Sequence, residues 1–520
     1  MARKTKRWLL WVGGALLLLI AVITAVGFYL AWRFEPFIRE ETIAYFEKRF
    51  DARMRLDALK VNVSWRGKDS IAHIDARGIE LHLNALPDLP PVLAMHRLRF
   101  DVRLNELRQR KVVIREVRLE GLQVSAPPKG SKMTPTPAPA PASESTGPKV
   151  DVSIGAIVAD GSRLTILPRK EGKAPLVFEM HKLRLEPGAS GGAMRYETEL
   201  TNAKPPGLIK CSGTFGPWNT ESPSESPLTG TYVFENANLG VFKGIAGTLS
   251  SRGSFEGVLN EIIVDGTTQT PDFRLTMSGN RVPLSTEFHA IVDGTNGDTR
   301  LQPVNAVLGQ TRMTVRGAVE RYEGEKGKTV ALNAEIPAGR LDDVLLLAMK
   351  GSKPFMRGGI TLKTRIIVPP GKAEIADKLQ LFGSFRLSDA HFTSPAVQDG
   401  LDSLSRRAQG QPSNDAIDEV QAVMSGAFEM LAGRIHFSAL GFSIPGADVS
   451  LQGQFEFDSQ ELDFFGEARI RARLSEMMVT RWKRWALKPV DPFFAKEGYG
   501  TLAKIRIAGT REKPEFGLAK

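Results

Sequence analysis

The sequence predicts a mainly β protein, with an N-terminal transmembrane helix followed by a long succession of strands and a few short helices. Three observations lead there. Apolar residues recur at every second position in segment after segment. Forty-nine glycines and 32 prolines in 520 residues break those segments at short intervals. One long uncharged run stands near the start.

The uncharged run comes first. From Trp8 to Trp32, between Arg7 and Arg33, no residue is charged, and as a helix the run would extend about 37 Å. That crosses a ~30 Å hydrocarbon layer with some tilt. Trp8 and Trp11 at one end, and Tyr29 and Trp32 at the other, stand where aromatic rings favour the headgroup region. A cleaved signal peptide fits less well, because its apolar core is only ~7–15 residues long and Ala25-Val26-Gly27 lies inside the run. Arg3, Lys4, Lys6 and Arg7 crowd the short N-terminal side, which the positive-inside tendency leaves in the cytoplasm, with nearly all the chain exported. A formal charge of +11 suits nucleic acid and anionic membranes alike, and export removes nucleic acid from the partners. The single cysteine, Cys211, cannot form an intrachain disulfide and reads as a small core residue. Beyond the anchor, Phe37, Ile38, Ile43, Phe46 and Phe50 have the spacing of a short amphipathic helix, lying on the bilayer or on the first strands.

The strands follow. "MHRLRF" at Met95–Phe100 recurs as "MHKLRL" at Met180–Leu185, each opening a stretch of strict alternation. His96 and His181 therefore mark equivalent places in equivalent strands; no carboxylate or cysteine recurs around them at metal-ligand spacing. "VVIREVRLEGLQVSAP" and "VSIGAIVADGSRLTILP" rhyme in the same way and predict two copies of a strand-turn-strand module. Alternation marks further strands at Leu59–Trp65, Ile79–Leu83, Phe273–Met277, Leu362–Val368, Phe385–Leu387, Phe455–Phe457 and Ile505–Ile507. Glycines 230, 247, 253, 257, 266, 279 and 294 read as turns between strands. "APPKGSKMTPTPAPAPASESTGPK" lacks apolar anchors and reads as an extended, solvated connection. The chain divides accordingly: residues 1–33 cytoplasmic tip and anchor, 34–126 an N-terminal β region, 127–149 a Pro/Ala-rich linker, and 150–520 a C-terminal β region with inserted helices.

Helices are expected in four places: "GRLDDVLLLAMKG", "VQDGLDSLSRRAQG", "NDAIDEVQAVMSG" and "SEMMVTRWKRWALKP". In the last, Met478, Arg481, Trp482, Lys483 and Trp485 combine basic and aromatic residues on one short helix. That suits a membrane interface, and equally a cap on the end of a sheet.

No zinc-protease helix, nucleophile elbow, phosphate-binding loop or Cys-x-x-Cys pair occurs in the sequence. "VDGTNGDT" has Asp298 and Val304 where a calcium hand needs glycine and glutamate. No catalytic residue, metal or cofactor is assigned.

The anchor followed by "RFDARMRLDALKVNV", "ARGIELHL", "VLAMHRLRFDVRL" and "VVIREVRLEGLQV" resembles the start of the AsmA-like family of exported bacterial proteins. "FGSFRLSDAHFTSPAVQDGLDSLSRRAQG", "FSIPGADVSLQGQFEF" and "GTREKPEFGL" resemble the C-terminal region of its members. The resemblance implies an elongated, curled antiparallel sheet forming a taco-like groove, related to TamB and to bridge-like lipid-transfer proteins. It implies a bacterial inner-membrane protein with its bulk in the periplasm, moving phospholipid towards the outer membrane and contributing to envelope homeostasis, with a partner at the outer membrane or in the periplasm. The family has no catalytic motif to carry over.

The physics of the strands is compatible with that picture. An alternating sheet has one apolar face that a second sheet, helices or a ligand must cover, and helices are few here. About 30 strands at ~4.8 Å would make a ribbon at most ~140 Å long. Acyl chains need only apolar surface, at ~0.8 kcal/mol per buried methylene. The candidate lining residues are Leu98, Phe100, Val102, Leu104, Phe385, Leu387, Phe455 and Phe457. Two other readings stay open: an anchored scaffold that assists outer-membrane protein assembly through its sheet edges, and a structural protein whose faces close on each other.

Overall fold

The structure is a computed structural model. It describes most of the chain from residue 52 to residue 518, with a few helical positions between 39 and 47; residues 1–38, 65–69, 127–150, 168–174, 218–224 and several shorter stretches fall outside it. The expected anchor, with Trp8, Trp11, Tyr29 and Trp32, therefore lies outside the described residues. Among the described residues no helix is long and apolar enough to cross a membrane. They are mainly β, with a handful of short helices, and fall into two compact units.

The first unit comprises Met1–Ala237, Ser250–Val264 and Asp293–Asn296. Its opening strands Ala52–Ser64, Ile71–Leu83 and Leu93–Arg103 pair antiparallel in sequence order. In each, buried positions alternate largely with half-buried or exposed ones, as period-two patterning requires. Where an all-antiparallel sheet is expected, two pairings are parallel: Lys111–Glu120 lies beside Asp151–Asp160, and Gln123–Ala126 beside Ser162–Ile166. The rhyming modules are thus neighbours, Val112 opposite Val152, Ile114 opposite Ile154 and Leu119 opposite Ala159. Each turns at a left-handed glycine, Gly121 (φ +65°) and Gly161 (φ +64°). Parallel strands need a crossover of a dozen or more residues, and the Pro/Ala-rich stretch is that crossover: it joins two strands of one sheet.

This arrangement accounts for the repeated hexapeptide. Leu93–Arg103 flanks the first module antiparallel, with Leu98 opposite Leu119 and Ala94 opposite Gln123. Leu176–Pro187 flanks the second with the corresponding register, Arg184 opposite Val158 and Glu179 opposite Arg163. The two strands close the same pair of modules from opposite sides. His96 lies across the first turn, where a Cβ at Gly121 would come within 2.5 Å of its Nδ1. The carbonyl of His181 accepts the N–H of Gly161 at 3.3 Å.

Apolar side chains from these strands fill a single core that includes Leu56, Ile79, Met95, Ile114 and Leu119, and Ile43 of the preceding helical stretch packs against it. On the outer surface, Asp75 accepts from Arg97 at 2.6 and 2.9 Å and from Arg77 at 2.8 and 3.2 Å. These guanidinium groups, Arg97 first, hold its carboxyl well below the usual carboxylate range. A depressed folded value contributes stability above the unfolded value of ~3.9 that is lost as pH falls through the folded one. Asp75→Asn is expected to lower stability by ~1–2 kcal/mol at neutral pH and to flatten its pH dependence below about pH 4, as urea unfolding at the two ends of that window will measure.

The second unit comprises Asn238–Leu249, Asp265–Val292 and Gly297–Lys520. From Leu284–Val292 onward it is an antiparallel meander, each strand pairing with the next: Thr299–Leu308, Thr311–Glu320, Thr329–Arg340, Met356–Val368, Gln380–Phe392, Ala422–Leu431, Arg434–Ile444, Ala447–Glu456, Leu462–Ile470, Thr501–Gly509 and Pro514–Leu518. Helices Leu341–Ala348, Pro395–Ala408 and Arg481–Leu487 all stand in connections at one end of these strands.

Four local expectations need correction. "NDAIDEVQAVMSG" is not a helix: Asp402 captures the N–H groups of Glu419 and Val420, and a strand starts at Ala422. The helix expected from Ser475 begins at Arg481, because the carboxylate of Asp491 takes both the N–H (2.9 Å) and the hydroxyl (2.7 Å) of Ser475. In the Phe273–Met277 alternation only Arg274–Leu275 is strand, and Met277 is in an exposed turn. Glycines 230, 253, 257 and 266 stand inside strands rather than between them; at Gly230 a Cβ would come within 2.7 Å of the Phe255 ring.

Candidate functional site

Cross-strand partners in a sheet point to the same face, so the register of the second unit reads out its surface row by row. One row runs Leu332, Ile366, Leu381, Met430, Ile435, Phe455, Leu462 across seven adjacent strands. A second runs Leu362, Phe385, Gly426, Leu440, Leu451, Gly466, Ile505. The row on the opposite face, Asn333, Arg365, Phe382, Glu429, His436, Gln454, Asp463, is mostly polar. Seven strands at ~4.8 Å make an apolar strip about 29 Å from first to last strand.

Burial separates the two units. In the first, Leu98, Phe100 and Val102 are 0, 3 and 2 % exposed, covered by their own core. In the first row of the second unit every residue except Met430 is half-buried, although its neighbours on the same face are apolar too. Two helices cover one end of the face. Leu341–Ala348 packs on Ile336, Ile360 and Leu387, and Pro395–Ala408 on Ala422, Ile444 and Ala447. Leu362 and Phe385 of the second row pack against the first of these helix-capped clusters, and at the opposite strand end Lys243 pairs with Glu374 at 2.7 Å; the remaining positions of the first row stay half-buried apart from Met430. Leu98→Ala is expected to destabilise by ~3 kcal/mol and leave a cavity, whereas Leu451→Ala, which removes half-buried methylenes, costs ~1 kcal/mol or less. Chemical denaturation of the two variants tests the contrast.

Aromatic rings line part of the face. Phe385 lies 6.3 Å from Phe428 and 6.4 Å from Phe437, and Phe437 lies 5.9 Å from Phe464. Each neighbours a glycine on the next strand: a Cβ at Gly426 would come within 2.8 Å of the Phe385 ring, and one at Gly383 within 3.0 Å of Phe428. The rings therefore lie down over bare backbone and keep the lining thin. Sequence reasoning finds Phe385 by alternation but misses Phe428, Phe437 and Phe464, whose register depends on bulges at Ala427/Phe428 and Phe437/Leu440.

The expected lining residues thus separate. Leu98, Phe100 and Val102 sit in the core of the first unit, with Leu104 packed against it from the short helix Leu104–Leu107. Phe385 and Phe455 lie half-buried on the apolar face of the second unit, and Leu387 lies buried under its helix-covered end. Phe457 is outside the described residues. Of the expected interface residues, Met478 is half-buried, while Lys483 and Trp485 are exposed. Arg481 and Trp482 begin the helix Arg481–Leu487, and their side chains are outside the described residues. Cys211 is half-buried, its thiol 3.5 Å from the Tyr196 hydroxyl, and burial pushes both groups up, away from thiolate chemistry. Among the described residues no three His, Cys, Asp or Glu side chains are grouped to hold a metal ion.

A half-buried apolar sheet face can bind hydrocarbon along many equivalent positions. No family model, curated protein or solved structure matches this chain.

Proposed function

We propose that this protein binds phospholipid acyl chains on the apolar face of its second unit and transfers phospholipid from the bacterial inner membrane towards the outer membrane. In this reading Trp8–Trp32 anchors it in the inner membrane with the bulk in the periplasm, and the sheet curls into a groove. The observation that carries the proposal is the row from Leu332 to Leu462, apolar across seven strands yet half-buried in all but one position. Its length of about 29 Å exceeds that of an extended acyl chain, and a chain lying along it loses water contact at ~0.8 kcal/mol per methylene. Headgroups stay in water at the open side, so neither a cofactor nor a catalytic residue is required.

Mass spectrometry of the gently purified full chain tests this directly. Phospholipid in near-stoichiometric amount is the expected result. Absence of lipid, together with crosslinks from the sheet edges to outer-membrane barrel proteins, would favour an assembly scaffold instead.

A further inference from the structure

The segment Arg471–Asp491 leaves the sheet at the same strand end as the other two helices and is clipped down at both ends. The N–H of Ala472 donates to the carbonyl of Ala408 (3.0 Å) and that of Arg471 to Gly446 (2.9 Å). Asp491, itself buried, holds Ser475 by its N–H and hydroxyl. Between these clips Val479, Thr480 and the side chains from Lys483 to Ala486 are exposed. Trp485 is 79 % exposed and Val479 59 %, the two most exposed large apolar side chains among the described residues.

Charge accompanies them. Arg471–Asp491 holds six basic residues and two acidic ones. Asp491 is turned inward on Ser475, and Glu476 accepts the N–H of Arg473 at 2.9 Å. Lys483, Arg484 and Lys488 are exposed beside Trp485, and Arg484 also donates to the carbonyl of Met478 (3.2 Å) across the base of the loop.

A protein partner of ordinary interface size would need ~800 Å² of complementary surface around a central anchor. The indole of Trp485, exposed beside Lys483, Arg484 and Lys488, offers no such patch among the described residues. It fits a fluid surface that closes around the ring while its phosphates meet the cations. We propose that Val479–Lys488 docks on the surface of an anionic phospholipid bilayer, with Trp485 and Val479 entering the interfacial layer and Lys483, Arg484 and Lys488 on the phosphates. This second membrane contact is independent of whether the apolar face carries lipid, and its test reads bilayer binding rather than lipid content.

The test uses the full chain in a little non-ionic detergent, carrying Cys211→Ser and Ala486→Cys, with an environment-sensitive fluorophore at position 486. Vesicles of phosphatidylglycerol mixed with phosphatidylcholine should blue-shift and brighten the probe; vesicles of phosphatidylcholine alone should leave it nearly unchanged. Combined Lys483→Ala, Arg484→Ala and Lys488→Ala should weaken the response to anionic vesicles by roughly 100-fold or more, at about a fivefold loss per cation. Trp485→Ala should weaken it further. All four positions are exposed or flank the fold, and an unchanged circular dichroism spectrum will show that the variants remain folded. Equal response to neutral vesicles, an unaltered response in the triple variant, or a probe that responds only to an added acidic protein would each overturn the proposal.

Discussion

Ile366→Glu combined with Ile435→Glu should strip the protein of co-purifying phospholipid while leaving it folded. The two positions belong to one row, three strands and about 14 Å apart. A carboxylate at either place would have to be desolvated under a bound chain at a cost of several kcal/mol, more than the methylenes nearby contribute. Both residues are half-buried, so in the free protein the new carboxylates reach water and the sheet keeps its pairing. Lipid content by mass spectrometry should fall at least 100-fold, taking ~3 kcal/mol as the net effect. Ser384→Glu, on the opposite face beside Lys363, should leave it unchanged. Loss of lipid in the control, or retention in the double variant, would remove the apolar face from the proposal.

Asp402→Ala should be the most destabilising single change in the second unit, by ~3–5 kcal/mol. The residue is 1 % exposed and accepts from the N–H of Val420 (2.9 Å), the N–H of Glu419 (3.1 Å) and the amide of Gln398 (2.9 Å). Burial alone would raise its pKa, but these donors together outweigh it and hold the carboxyl below the usual range. Its contribution is therefore complete above about pH 4 and is lost as pH falls through the lower folded value. Alanine leaves the donors unanswered inside the fold and frees Pro395–Ala408 from Val420, Ala422 and Ile444. Amide exchange in residues 395–408 should rise sharply, with a smaller effect in Asp402→Asn, which keeps one acceptor.

Strand content was legible because alternation is a local property. Leu98 to Val102 and Phe385 to Leu387 read as strands and are strands. Which apolar face stays half-buried was not legible. Leu98 and Leu451 carry the same pattern, and only the packing of distant residues buries one and leaves the other half-exposed. Helix Leu341–Ala348 was readable from its acidic first turn and the glycine beyond it. The helix expected near Asp415 failed because a carboxylate thirteen residues earlier claimed its N–H groups. Parallel pairing of the rhyming modules was written in their similarity, but alternation carries no sign of strand direction.

That parallel pair sets an order on self-assembly. Neighbouring strands of the meander can zip up through short turns soon after they leave the ribosome, whereas Lys111–Glu120, paired on one side with the preceding Leu93–Arg103, must wait for its parallel partner on the other, which begins forty residues later. Closing so long a loop is slow, yet each doubling of its length adds only ~0.6 kcal/mol. The Pro/Ala-rich stretch is accordingly where this chain could tolerate insertion, or a cut that leaves two fragments able to find each other through a shared ladder of hydrogen bonds.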